Sequence, residues 1–234
     1  MKLIIANLKM NLTKEETIHY LEKISNIDTK DNKIIICPST LYLSLNDKYK
    51  YILGCQNISI NKEGSYTGQV SINQVKSLDI KYTLVHHSEV CTYLNETTKE
   101  ANAKLKHILD NNLIPIVCVG ETKLDKDNNK SYEAITKTLD EIFKNIDTTK
   151  EIIIAYEPIY AIGTNNTPSI EDITNMIKYI RKYFLYKNNI SLIYGGSINN
   201  SNINQILNIN QLDGLIIGNY ITNINNLINI INII

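Results

Sequence analysis

Polar residues able to do chemistry sit where apolar runs stop. Glu157 follows the run Ile152-Ile153-Ile154-Ala155-Tyr156, and Pro158 and a small-residue segment through Gly163 come directly after it. A carboxylate at the mouth of a buried strand can take a proton from carbon, and a hinged segment beside it can shut out water. Asn7 and Lys9 follow the first apolar run, and His87, Ser88 and Glu89 follow the fourth. Gly195-Gly196-Ser197 follows the seventh and Gly218-Asn219 the eighth. Glycines at strand ends let backbone amides approach an anion closely, although either glycine motif alone reads equally as an ordinary turn.

These residues become neighbours only if the elements between them gather the strand ends. The strand candidates are Leu3–Ala6, Lys33–Cys37, Tyr51–Gln56, Tyr82–His86, Ile114–Val119, Glu151–Tyr156, Ser191–Tyr194 and Gly214–Gly218. They are nearly continuous in apolar residues, as strands covered on both faces should be. Helical periodicity fills the gaps. Thr13 with Glu16 forms a capping box ahead of Ile18, Leu21 and Ile24. Ala101, Leu105, Ile108 and Leu109 share a face, as do Tyr132, Ile135, Leu139, Ile142 and Phe143, and Ile224, Leu227, Ile228 and Ile231 near the end. Thr167-Pro168 reads as an N-cap with proline in the first helical position. Alternating strand and helix with no composition break predicts one α/β domain over residues 1–234 with a parallel sheet inside. Spacing does not separate a closed barrel from an open doubly wound sheet. No G-x-G-x-x-G follows the first strand, which argues against a dinucleotide cofactor.

The chain of 234 residues carries 24 Lys+Arg and 24 Asp+Glu, a formal net charge of zero with no block of one sign. That balance disfavours nucleic acid and an anionic membrane surface as partners. No apolar run approaches a membrane span, and the start turns polar at Asn7, too soon for a secretory leader. Cys37, Cys55, Cys91 and Cys118 include no C-x-x-C pair and read as thiols of a reducing, cytoplasmic compartment. His86-His87 lacks further ligands at useful spacing, so no metal is expected. His19 and His107 fall on helices as surface or packing residues. Asn, Ile and Lys crowd the chain, which has 15 Tyr, no Trp and Arg181 as its one arginine. Such a bias reads as mutational drift, in which Arg, Trp and Gly positions slide to Lys, Tyr and Asn.

Several strings, in order along nearly the whole chain, resemble the triosephosphate isomerase family. They are Asn7-Leu8-Lys9-Met10-Asn11, Gly54–Ser59 with Gly64–Gly68, His87-Ser88-Glu89, Cys118–Thr122, Ala155–Thr164, Tyr194–Ser197 and Asp213–Gly218. The resemblance implies a closed (β/α)8 barrel and a cofactor-free glycolytic enzyme that moves a proton between adjacent carbons of a triose phosphate. It implies Glu157 as the base, His87 as the electrophile, Lys9 as a fixed positive charge and Asn7 as a polar contact. A neutral His87 ring is the family's own property and does not follow from these residues. Gly163 in the lid, Ser197, Gly218 and Asn219 correspond to the family's phosphate clamp. The loop 57–70, long for a compact domain, corresponds to the family's interface loop, so a homodimer is expected, with Thr67 reaching the Asn7 and Glu89 region of a second copy.

The chain departs from the family in five places. His86 stands where glycine is usual, and Val90-Cys91 stands for an Arg-Arg pair whose bidentate bonds valine cannot make. Tyr160 replaces a lid Trp, with Glu121 as the expected partner of its hydroxyl, and Asn165 replaces a lid glycine. Asn219 replaces a glycine at the phosphate site, where asparagine tolerates positive φ better than most residues. These changes leave open a catalytically silent barrel serving as a scaffold or interaction protein. A different phosphosugar isomerase or epimerase would need another base and usually a metal.

Overall fold

The computed structural model describes residues 1–48, 51–164, 166–185 and 189–234. Among these, eight parallel strands close into a barrel in simple chain order. They are β1 (Leu3–Asn7), β2 (Lys33–Cys37), β3 (Ile52–Cys55), β4 (Tyr82–Val85), β5 (Ile114–Val119), β6 (Ile152–Tyr156), β7 (Ile190–Gly195) and β8 (Gly214–Ile217). Closure is made by β1 against β8, with Ile4 opposite Leu215 and Ile5 opposite Ile216. Each strand matches its sequence reading to within a residue or so at either end.

The helices around it are α1 (Lys14–Ser25), α2 (Ile72–Ser77), α3 (Ser88–Leu94), α4 (Thr98–Asp110), α5 (Lys123–Asp127), α6 (Ser131–Ile142), α7 (Ile170–Tyr183), α8 (Ile203–Leu207) and α9 (Ile224–Ile233). Between β2 and β3 a 3₁₀ segment, Thr40–Lys48, takes the place of an α-helix.

The continuous apolar character of the strands follows from burial on both faces. Leu3, Ile5, Ile35, Leu84, Ile116, Ile153, Ile193 and Ile216 pack together as one cluster inside the ring. The alternate residues, such as Ile4, Ile36, Val117, Ile154 and Leu215, pack outward against the helices. Ala101, Leu105, Ile108 and Leu109 of α4 are buried there as the periodicity predicts. In α6 the buried stripe is Ile135, Leu139 and Ile142. Tyr132 instead lies 45% exposed and meets Tyr179 in a tilted ring contact, with centroids 4.6 Å apart.

The capping box at Thr13 and Glu16 is present. Thr167-Pro168 does not start α7. Ser169 is the N-cap, its hydroxyl accepting the Asp172 amide at 3.0 Å. Serine at this position leaves the proline just outside the helix, where its missing N–H costs nothing. The four cysteines are free thiols, and Cys37, Cys55 and Cys118 are buried.

Candidate active site

The C-terminal ends of the parallel strands meet at one mouth of the barrel, where folds of this kind place their loops and sites. A cavity of about 340 Å³ opens there, lined among others by Asn7, Lys9, His87, Glu157, Gly163, Ser197, Gly218 and Asn219. Every site residue expected from the sequence thus lines one space, although Asn7 and Asn219 are separated by nearly the whole chain.

Asn7 ends β1 and is buried. Its Oδ1 accepts the Lys9 amide at 3.1 Å. That bond helps hold Lys9 in a left-handed conformation, φ 52°, which non-glycine residues seldom adopt. The Lys9 carbonyl accepts from Gln56 Nε2 at 2.8 Å, and the same amide group donates to the Cys37 carbonyl at 2.9 Å. Lys9 is therefore pinned by the end of its own strand and by the residue that follows β3. Its ammonium reaches Glu89 Oε1 at 2.6 Å, and its Cε passes so near Gly218 that a Cβ there would lie 2.9 Å away.

His87 follows β4 as the N-cap of α3, and its Nδ1 accepts the Glu89 amide at 3.2 Å. A ring nitrogen that accepts carries no proton, so the ring proton belongs on Nε2. Nε2 points across the cavity at Glu157 Oε2, 3.8 Å away. Both side chains are nearly buried, at 5% and 8% exposure. Glu157 Oε2 is buried without a hydrogen-bond partner. A buried polar atom left unsatisfied in a cavity is unusual and marks a place where a ligand or reacting group belongs. The Glu157 backbone is fixed by its N–H donating to the Val119 carbonyl at 2.8 Å. Burial, with the Glu157 carboxylate next to it, pushes the Cys118 thiol well up, so Cys118 stays protonated beneath that carboxylate.

Two glycines make room for Glu157. A Cβ on Gly120 would lie 1.8 Å from the Glu157 carbonyl oxygen, and one on Gly195 would lie 2.7 Å from both its Cγ and its Oε1. Sequence reading passed over Gly120 and Gly195 as packing constraints and Gln56 as a brace for Lys9. The available signal was a glycine or polar residue directly after an apolar strand.

After Pro158 the chain makes a 3₁₀ turn, Ile159–Ala161, and reaches Gly163 at φ +68° with open space where a side chain would be. Ser197 Oγ donates to the Ala161 carbonyl at 2.6 Å, tying this segment to the β7 loop. The expected bond from Tyr160 to Glu121 is absent. The Tyr160 hydroxyl accepts from Lys126 Nζ at 2.9 Å, and the ammonium also stands 4.8 Å from the ring centroid. Glu121 instead accepts from the Tyr156 hydroxyl at 3.1 Å, and burial raises its pKa. Tyr156 lies inside the wall, closer to Glu121 than the outward turn allows Tyr160 to come. Asn165 lies outside the described residues.

Among the described residues, no group of three or more His, Cys, Asp or Glu is placed to hold a metal ion. No described helix is long and apolar enough to cross a membrane.

The sequence profile described as "Triosephosphate isomerase" matches residues 2–234. A protein named triosephosphate isomerase from Mycoplasma mobile is 35% identical over 98% of this chain and 98% of its own length. Its namesake from Wigglesworthia glossinidia brevipalpis is 36% identical over 99% of this chain and 96% of its own length. The corresponding protein from Dictyoglomus thermophilum is 36% identical over 93% of each. A match running from end to end, on a closed barrel whose mouth gathers the motif residues, means that this chain belongs to the triosephosphate isomerase family.

Proposed function

We propose that the chain, as one barrel domain, interconverts D-glyceraldehyde 3-phosphate and dihydroxyacetone phosphate in the cytoplasm, as a step of glycolysis and gluconeogenesis. The Glu157 carboxylate takes a proton from the carbon beside the carbonyl. The electron pair of that C–H bond forms the carbon–carbon double bond of an enediolate, and the carbonyl pair moves onto oxygen. His87 Nε2–H donates to that oxygen as charge develops on it, which is where a fixed donor lowers a barrier. His87 then passes its Nε2 proton to that oxygen and takes the proton of the neighbouring hydroxyl, and Glu157 returns its proton to the former carbonyl carbon as the second oxygen's electron pair closes the new carbonyl. Lys9 supplies positive charge beside the reacting oxygens, and Asn7 holds the lysine backbone in place. Gly163, Ser197, Gly218 and Asn219 hold the phosphate. Neither step consumes a redox partner or a metal.

The observation that carries this reading is the unpartnered Glu157 Oε2 facing His87 Nε2 at 3.8 Å across a cavity that Lys9 also lines. A carboxylate and a ring N–H that close together can both reach one small sugar lying over them, the carboxylate its carbon and the N–H the oxygen beside it. The long loop supports a homodimer: residues 62–69 are exposed, and the loop closes on itself through the Ser59 amide and the Val70 carbonyl at 2.8 Å.

A coupled assay of dihydroxyacetone phosphate formation tests the reaction. Glu157→Gln keeps the side chain's size and removes the base, and should lower kcat by roughly 10²–10⁴-fold, the usual worth of general-base catalysis. An unchanged melting temperature would show that the fold survives. Turnover near that of the parent would remove Glu157 from the role, and a folded parent chain without any isomerase activity would favour the silent scaffold.

A further inference from the structure

His86 precedes His87 and has no place in the reaction as written, yet the chain holds it at a cost. Its φ is 60°, a left-handed conformation that costs a residue with a Cβ roughly 1–2 kcal/mol. It is largely withdrawn from solvent and engaged on every side. Its backbone N–H donates to Glu96 Oε1 at 3.0 Å, and its carbonyl accepts from the Cys91 thiol at 3.7 Å. Glu96 is itself buried and ion-paired with Lys104, and the Lys104 ammonium donates on to Asn57 Oδ1 at 2.8 Å. The backbone on either side of the ring is therefore anchored.

The ring makes one further contact, Nδ1 to the Cys118 carbonyl at 3.2 Å. A carbonyl only accepts, so this bond requires the proton on Nδ1, the opposite tautomer from His87. Its position in the sheet gives it meaning. The last β4–β5 rung is Val85 opposite Val117, and at the next step the β4 backbone turns into the left-handed conformation and leaves the ladder. The Cys118 carbonyl at that step would otherwise face the departing strand, and the ring reaches back to take it.

That contact lies between the two groups the reaction needs. The residue after His86 is His87. The residue after Cys118 is Val119, whose carbonyl holds the Glu157 amide at 2.8 Å, and the Cys118 thiol lies against the Glu157 carboxylate. We propose that His86 is a positioning residue: its Nδ1–H bond to the Cys118 carbonyl straps the end of β4 to the end of β5 and so fixes the separation of His87 from Glu157. This rests on the reading of His87 and Glu157 as the reacting pair. Reacting groups held to a fraction of an ångström lose rate steeply when the fixture loosens, by up to ~10²-fold for a 1 Å displacement.

Two substitutions separate the strap from the fold. His86→Gly suits the positive φ and removes the ring. His86→Asn also tolerates that φ, and its amide nitrogen can donate from near the position of Nδ1. The expected result is a His86→Gly enzyme with kcat down about tenfold or more and KM changed less than about twofold, at an equal or higher melting temperature. His86→Asn should return most of the lost kcat. Stability and turnover moving in opposite directions is not what a packing role would give. Long-range proton–nitrogen correlation spectra of the histidine-labelled parent chain should show Nδ1–H for His86 and Nε2–H for His87. The proposal is overturned if His86→Gly keeps parental kcat, if His86→Asn falls as far as His86→Gly, or if His86 carries its proton on Nε2. The spectra judge the strap even where a variant fails to fold. An inactive parent chain with the expected tautomers would overturn the reaction reading and leave the strap as a structural tie, with no positioning role.

Discussion

At the scale of single residues, the candidate base is defined as much by absent atoms as by present ones. Gly120 and Gly195 leave room for the Glu157 backbone and carboxylate, so alanine at Gly120 would press on the Glu157 carbonyl and alanine at Gly195 on the carboxylate itself. His86 carries a pH dependence of its own. Burial holds its ring below the ordinary value of 6.5, with Lys104 adding to the effect and the Cys118 carbonyl, Glu96 and Glu141 opposing it. The folded chain then binds that proton less readily than the unfolded chain does. Its contribution to stability is complete above the unfolded value and is lost as pH falls through the folded one. Urea midpoints should therefore drop between about pH 7.5 and about pH 5.5, and drop less in His86→Asn, which lacks the titrating ring. Equal pH slopes for the two chains would show that His86 carries none of the dependence. Residue identity was the most legible part of the sequence: Asn7 and Glu157 stand directly after an apolar run, and Lys9 and His87 within a residue or two of one. What their types did not reveal is bracing. Nothing in the letters says that Gln56 holds two carbonyls or that His86 points back at β5, because both depend on where neighbouring strand ends fall in register.

At the scale of elements, strands were easier to read than helix starts, for a physical reason. A strand buried on both faces is an unbroken apolar run that a glycine or polar residue ends abruptly, as Gly120 does after Val119 and Glu157 after Tyr156. A helix start depends on one side chain's hydrogen bond. Thr167-Pro168 carried the sequence signal for α7, but the Ser169 hydroxyl takes the Asp172 amide. The other end of α7 bears the chain's single arginine. Arg181 donates through Nε and Nη2 to the Gln211 carbonyl at 3.0 and 2.9 Å, through Nη1 to the Ile190 carbonyl at 2.8 Å, and through Nη2 to Asp213. Asp213 in turn accepts the Leu192 amide at 2.6 Å. One planar fork thus binds α7 to the starts of β7 and β8, and an ammonium cannot reach those acceptors together. In a chain whose other basic side chains are all lysine, this position is the one where lysine fits worst. Arg181→Lys should cost about 1–3 kcal/mol, read from the urea midpoint, while kcat changes little, because these strand starts lie at the barrel end opposite the cavity. A large fall in kcat at full stability would mean that α7 reports to the mouth in a way these contacts do not describe.

At the scale of the whole molecule, closure of the barrel and assembly of copies answer different questions. Closure followed from the family resemblance, since strand–helix spacing fits an open sheet as well; the pairing of β1 with β8 decides it. Assembly has to be argued from what the barrel leaves uncovered. Met10 is 97% exposed, one residue from Lys9, and Tyr66, Tyr93 and Leu94 are exposed at 47%, 77% and 66%. They lie on the segments after β1, β3 and β4, around the same mouth as the cavity. Exposed apolar side chains gathered beside a site mark a surface that a partner covers. A second copy inserting its 57–70 loop there would cover Met10 and steady the backbone that presents Lys9. In such a dimer Val90-Cys91, where the resemblance implies two arginines, would leave apolar contact rather than charged hydrogen bonds to hold the copies together. Such a dimer obeys mass action. Sedimentation should give twice the chain mass at micromolar concentration, and specific activity should fall on dilution through the same range in which the mass halves. A monomer with full specific activity at every concentration would show that Lys9 is held by Asn7 and Gln56 alone and that the exposed patch serves some other contact.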